Sequence, residues 1–218
     1  MGAERQMKRK FLIFLLIVAF LLSTGFYYNP DSYSWEESQK TLLIDNEADV
    51  IIIGDSRVYL LMVHNPDIRS STCCRPGSKI EWLEETALPS LKTDKDIADK
   101  TIVIMSGVNN MLEEEPKDIA KHMKRIYDEF TDLGADVVLC NVGPTGKDID
   151  SDFNKKIIQY NKELEKRVPS VVDLHGFLVE NGYEHRIPDD IWHYDAETDR
   201  KILNLLEDML NKKGISIK

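Results

Sequence analysis

Cysteine is scarce in this 218-residue sequence: Cys73, Cys74 and Cys140 are all there is, and none stands in a C-x-x-C or similar metal spacing. Neither a disulfide framework nor a zinc site is indicated. A Cys73–Cys74 bridge would close a strained ring and Cys140 belongs to a later strand, so three free, buried thiols are expected. Basic residues are also in short supply, with 28 Lys+Arg against 38 Asp+Glu and a net charge of −10. Four of those bases and one acid fall in the first ten residues, and residues 11–30 carry no charge, so −13 falls on the remaining chain. Phosphate backbones and anionic lipids need a basic face that this composition does not supply. Nucleic acid is therefore not an expected partner, and small neutral or sugar-like substrates fit better. The G-x-G-x-x-G and P-loop patterns are missing as well, which sets a nucleotide-binding domain aside.

One long apolar run is present. Lys8-Arg9-Lys10 precede Phe11–Leu22, apolar at every position, and Ser23-Thr24-Gly25 and Phe26-Tyr27-Tyr28 follow. A basic cluster before such a run marks an export signal rather than a core helix. Twelve apolar residues suit a signal-peptide core, with Ser23 and Gly25 as small residues before a cut. Counting on through Tyr28 gives eighteen residues, near the roughly 17 needed to span a bilayer. The expectation is one N-terminal hydrophobic helix over residues 1–28, an uncleaved anchor with its basic end inside, or a signal peptide if it is cut. No Cys follows to take a lipid. A polar stalk over 29–48 then leads to a body, 49–218, outside the membrane or secreted.

In the body, apolar strands alternate with amphipathic helices. Residues 49–53 and 101–105 are short, β-branched and apolar on both faces, as strands covered by helices on both sides should be. Further strands are expected over 68–74, 135–142 and 170–174. Helices are expected over 57–64, from a Ser78-x-x-Glu81 capping box to about Leu88 where Pro89 interferes, from Pro116 to Leu133 with Gly134 as cap, over 151–167, and over 195–212. Five strands alternating with helices predict an α/β fold: a three-layer α/β/α sandwich on a parallel, doubly wound sheet.

In such a sheet the ligand crevice lies beyond the carboxyl ends of the strands. Gly54-Asp55-Ser56-Arg57 follows the first strand, Arg75-Pro76-Gly77-Ser78 the second, and Ser106-Gly107-Val108-Asn109-Asn110 the third, while Asp190-Ile191-Trp192-His193 precedes the final helix. A serine at a strand-to-helix turn needs a base to become nucleophilic. His193 can be that base and Asp190 can orient it. The Ser56 and Gly77 N–H groups and the Asn109 side-chain amide offer three donors for an oxyanion.

These four blocks resemble the SGNH (GDSL-like) hydrolase family over residues 49–213. The resemblance implies the flavodoxin-like SGNH hydrolase fold, catalytic Ser56, His193 and Asp190, an oxyanion hole of Ser56, Gly77 and Asn109, and no cofactor or metal. Two positions depart from it: Arg57 stands where Leu follows G-D-S, and Asn110 where Asp is common. The implied activity is a serine esterase cleaving small, acetyl-like esters through an acyl-serine, on an extracellular carbohydrate or cell-envelope substrate. An O-acyltransferase with the same residues, and a silent envelope binding protein with this fold, are the alternatives.

Other residues compete weakly. His175 has no acid at matching spacing and reads as a capping or core residue; His64, His122 and His185 read as loop or helix-surface residues. Glu113-Glu114-Glu115 is expected to complement the dipole of the helix opening at Pro116. Trp82 and Trp192 neighbour the site segments, as pocket walls or as core.

Overall fold

Every residue of Val50–Gly54, the first strand (β1), is buried. Alternate side chains of this strand enter two different cores: Ile51 and Ile53 one, Val50 and Ile52 the other. A strand with aliphatic side chains on both faces is stable only where helices cover the sheet on both sides. The computed structural model describes residues 48–217, and the leader and stalk expected over 1–28 and 29–48 lie outside them, Ala48 apart. No helix among the described residues is long and apolar enough to cross a membrane.

The elements follow in α/β alternation: α1 (Ser56–His64), β2 (Ser71–Cys74), a composite helix α2 (residues 80–91), β3 (Thr101–Met105), α3 (Pro116–Asp132), β4 (Asp136–Cys140), α4 (Asp152–Glu165), β5 (Val171–Val172), α5 (Leu174–Asn181) and α6 (Ala196–Asn211). The five strands are parallel in the order β2-β1-β3-β4-β5, the flavodoxin-like order. One core is closed by Leu83, Leu88, Ile119, Ile126, Phe130, Ile157 and Leu164 from α2, α3 and α4. The other is closed by Leu60, Leu61, Leu178, Ile202, Leu206 and Leu210 from α1, α5 and α6. The three layers expected from the sequence are therefore present.

Several boundaries differ from expectation. β2 starts at Ser71 rather than Ile68, because its partner β1 begins near that register and Arg69 bonds instead to Ile217 O. β5 is two residues long because it pairs only with Leu139 and Cys140. The Ser78-x-x-Glu81 capping box does not form. Lys79 is the N-cap of α2 and makes no side-chain capping bond, and the Ile80 N–H is capped by Asn110 Oδ1 at 3.0 Å. Nor does Pro89 end that helix. An α turn (Ile80–Trp82) passes into a π-helical stretch (Leu83–Ala87) and then a further α turn (Leu88–Leu91) with Pro89 inside it. The wider turn lies just before the proline, where an ordinary helix would clash with the ring.

All three cysteines are free and buried. Burial pushes the Cys73 thiol up to about 11, and those of Cys74 and Cys140 up to about 12, so none is a thiolate at neutral pH.

Candidate active site

The first site segment is a tight strand-to-helix turn. A side chain at Gly54 would place a Cβ 2.1 Å from Met105 O and 2.6 Å from Val58 Cγ2, so only glycine lets β3 and α1 approach β1 there. Asp55 then caps α1 with Oδ1 on the Arg57 N–H at 2.9 Å. Burial raises the pKa of this carboxyl, opposed by that hydrogen bond and the Arg57 charge. Ser56 is the first residue of the helix, so its N–H has no partner within the helix.

Ser56 and His193, 137 positions apart, meet at 2.9 Å between Oγ and Nε2. The other ring nitrogen, Nδ1, faces Asp190 at 2.8 Å to Oδ2 and 3.1 Å to Oδ1. Asp190 Oδ1 also accepts the N–H groups of Trp192 at 3.0 Å and His193 at 3.1 Å, an Asx turn that closes the loop on itself. Burial works to raise the Asp190 pKa, but its bonds to the His193 ring and to these amides outweigh it and hold the carboxyl down at about 2. At neutral pH it is an anion, which fixes the proton on Nδ1 and leaves Nε2 to accept from Ser56.

Above Ser56 opens a crevice of about 940 Å³, walled by Gly77, Trp82, Val108, Asn109, Trp192 and His193 among others. Gly77 has φ +71°, a conformation that glycine adopts without strain. The turn is closed by Ser78 N–H on Arg75 O. Among the described residues the Gly77 N–H has no protein acceptor. Asn109 Nδ2 donates to Ser78 O at 2.9 Å. A carbonyl can only accept, so this bond fixes the amide with nitrogen toward Ser78 and leaves its second N–H for a ligand. Four of the five residues picked from the sequence, Ser56, Gly77, Asn109 and His193, thus border one hollow, and Asp190 stands behind the ring, with hydroxyl, ring and carboxylate in hydrogen-bonded series.

Both tryptophans wall the crevice and also belong to packing. Trp82 is part of the α2–α4 core and Trp192 rests on it, edge-on to Phe153 with ring centroids 5.0 Å apart. The remaining histidines stand apart from Ser56 in other roles. His175 lies in α5, its N–H on Asn141 Oδ1. His122, its side chain 12% exposed and so far from a free surface residue, pairs through Nε2 with Glu84 of α2. His64 is not a surface residue: it is buried at the end of α1 with Nδ1 2.6 Å from Asp199 Oδ2, a partner 135 residues away. Against that bond, burial raises the Asp199 pKa to about 6. His185 lies in a loop, as expected, and braces the base: its Nδ1 meets His193 O at 3.0 Å and its ring stacks on Tyr194. The three glutamates at 113–115 are not simply a dipole complement. Glu113 pairs with Lys79 at 2.6 Å, and Glu114 accepts from Asn110 Nδ2, both at the crevice wall. Among the described residues no group of His, Cys, Asp or Glu is arranged to hold a metal ion.

No family model matches the chain, and no curated protein matches it. Solved structures do. A member of the lipolytic protein G-D-S-L family from Veillonella parvula superposes with a TM-score of 0.62 at 13% identity, covering 74% of this chain and 97% of that one. An acetylxylan esterase from Geobacillus stearothermophilus gives 0.56 at 13% identity, over 74% and 93% of the two chains. An α/β hydrolase from the metagenome of Lake Arreo, Spain, gives 0.57 at 13% identity, over 74% and 94%. The chain has the G-D-S-L hydrolase fold.

Two residues that depart from the G-D-S-L pattern are built into this fold. Asn110 is fully buried. Its Oδ1 caps α2 while its Nδ2 donates to both Glu81, at 3.1 Å to Oε2, and Glu114. An aspartate here would bring a third carboxylate against two glutamates, which the amide avoids. Arg57, 9% exposed, sends Nε to Trp192 O at 2.9 Å, Nη1 to Gly143 O at 3.0 Å and Nη2 to Pro144 O at 3.2 Å. Its guanidinium also lies 4.8 Å from the centre of the Tyr194 ring. Neither role was readable in sequence, since each depends on partners supplied by distant loops.

Proposed function

We propose that this protein is an exported serine esterase that hydrolyses small acyl esters through an acyl-Ser56 intermediate. The observation that carries the reading is the continuous series Ser56 Oγ, His193 ring, Asp190 carboxylate at 2.9 and 2.8 Å, opening on a crevice. His193 Nε2 takes the proton from Ser56 Oγ as that oxygen bonds to the ester carbonyl carbon. The negative charge that develops on the carbonyl oxygen is met by N–H groups of Ser56, Gly77 and the Asn109 amide. Collapse breaks the bond to the alcohol, which leaves with the proton from Nε2. Water then repeats the sequence on the acyl-serine, releasing the acid and restoring Ser56. Ionised Asp190 stabilises the imidazolium at each stage, and every step uses groups of the chain and water alone.

The acyl group is small and the alcohol belongs to a carbohydrate or another cell-envelope polymer. Trp82 and Trp192 at the crevice wall suit a sugar face, and acetylxylan esterases are among the proteins that share the fold. Export rests on the basic cluster at 8–10 and the apolar run after it.

The test is hydrolysis of p-nitrophenyl acetate by the wild-type protein and by Ser56→Ala. Ser56→Ala is expected to lose about 10⁴-fold or more in kcat with its thermal midpoint unchanged. A variant as active as the wild type would reject Ser56 as the nucleophile.

A further inference from the structure

We infer that Arg57 is a positioning residue for the proposed reaction: it sets the distance between the Ser56 hydroxyl and the His193 ring by clamping the loop that carries the base. The inference rests on the esterase reading and adds to it a residue that borders the crevice but acts through the base loop, its guanidinium bonds all going to backbone carbonyls. Its basis is a pair of parallel cross-links. Ser56 and Arg57 are neighbours on α1, Trp192 and His193 are neighbours on the base loop, and each residue of the first pair bonds one of the second: Oγ to Nε2 at 2.9 Å, and Nε to Trp192 O at 2.9 Å. The first link is the one that must break and re-form in each turnover. The second lasts through the cycle, so the loop stays in place while the proton moves.

The same guanidinium reaches a third segment. Nη1 and Nη2 bond to Gly143 O and Pro144 O in the loop after β4. That loop is tied to the base loop by Gly146 N–H on Ile191 O at 2.9 Å and by Tyr194 OH on Pro144 O at 2.7 Å. Pulling on one loop therefore pulls on both. The planar fork of an arginine holds three acceptors at fixed angles, which the single ammonium of a lysine does not.

The environment points to geometry rather than charge as the purpose. Arg57 is buried against carbonyl oxygens and the Tyr194 ring, with no carboxylate within ion-pair distance among the described residues. Burying a cation whose charge is met by Asp55 and Asp199 only at longer range is costly, and a positive charge near His193 does nothing to favour the imidazolium that forms there. An apolar side chain would be the less costly filler if packing were its whole role. What the arginine adds is a set of directed bonds between the nucleophile turn and the base loop.

The experiment compares Arg57→Leu and Arg57→Lys with the wild-type protein and with Ser56→Ala, using p-nitrophenyl acetate kinetics, active-site titration and thermal midpoints. A displacement of the order of 1 Å between reacting groups costs about 10²-fold in rate. Arg57→Leu is therefore expected to lose about 10²-fold in kcat per titrated site with KM changed less than about threefold, and Arg57→Lys to recover part of that loss. Folded Arg57→Leu turning over at the wild-type rate per titrated site, even at a lowered thermal midpoint, would overturn the inference and leave Arg57 a purely structural residue. If Arg57→Leu does not fold, Arg57→Lys decides: a fall of about tenfold in kcat at constant KM supports positioning, and wild-type kcat refutes it. Full activity in Ser56→Ala would instead signal failure of the underlying esterase reading, separately from that of Arg57.

Discussion

The centre of the sheet and its carboxyl edge are held together by different forces. In β1 and β3 nearly every side chain is aliphatic and buried, and the register follows from covering both faces with helices. At the edge, a few strand residues further on, order comes from single polar side chains bonded to backbone, one local, Asp55 to Arg57 N–H, and the others to other segments: Arg57 to Trp192 O, Asn110 to Ile80 N–H, Asn154 to Thr145 O and Asn161 to Val142 O. Burial is non-directional and forgiving of which aliphatic residue supplies it. Hydrogen bonds at the edge are directional, so each residue there has one correct identity. The proposed chemistry sits on the second kind of structure because a reacting hydroxyl, ring and carboxylate need fixed directions.

The comparison can be broken from either side. The largest effect after Ser56→Ala is expected in the centre: Ile52→Ala deletes fully buried methyls between two packed layers and should cost about 2–5 kcal/mol in denaturant unfolding. Its surviving folded molecules should turn over at the wild-type rate, and a drop in kcat per titrated site would show that core and edge are not separable. At the edge the pattern should reverse. Asn109→Ala is expected to lower kcat by about 10²-fold while the thermal midpoint shifts little, since only the bond to Ser78 O is lost from the folded protein. A loss confined to KM would remove Asn109 from the oxyanion site.

The smallest effect concerns acid. Asp190 is held at about 2, below its ordinary 3.8, so between those values the unfolded chain binds more protons than the folded one. Its contribution to stability is complete above the ordinary value and disappears as pH falls toward 2. Asp190→Asn should therefore flatten the stability profile in that window, read by unfolding at a series of pH values. An unchanged slope would mean that the His193 and backbone bonds do not hold the carboxylate ionised.

The same contrast explains what could be read in advance. The strand at Thr101–Met105 falls where its apolar pattern put it, and the alternation of strands and helices was enough for the parallel three-layer sandwich, while the flavodoxin-like order came with the family resemblance. The convergence of Ser56, His193 and Asp190 was also legible, because the proposed mechanism needs them at a strand end and in the last loop, and the structure brings them together. The edge connections were not. A capping box at Ser78 and Glu81 satisfied the local rule, but Asn110, 30 residues after Ile80, supplies the acceptor for the Ile80 N–H instead. His64 closes a helix whose pattern leaves its end open to water, and only Asp199 on α6 makes it a buried pair. Arg57 looked like an anomaly in a G-D-S turn; its partners lie 86, 87 and 135 residues away. Local pattern carries burial well, and it carries no information about which distant carbonyl a side chain will meet.

The central claim is that Ser56 is an activated nucleophile, and the most direct measurement is labelling with a fluorophosphonate probe followed by mass spectrometry of the modified peptide. The account predicts a single adduct on Ser56, absent in Ser56→Ala and formed far more slowly in His193→Ala. An unlabelled wild-type protein, or an adduct on any other residue with Ser56 unmodified, would contradict it.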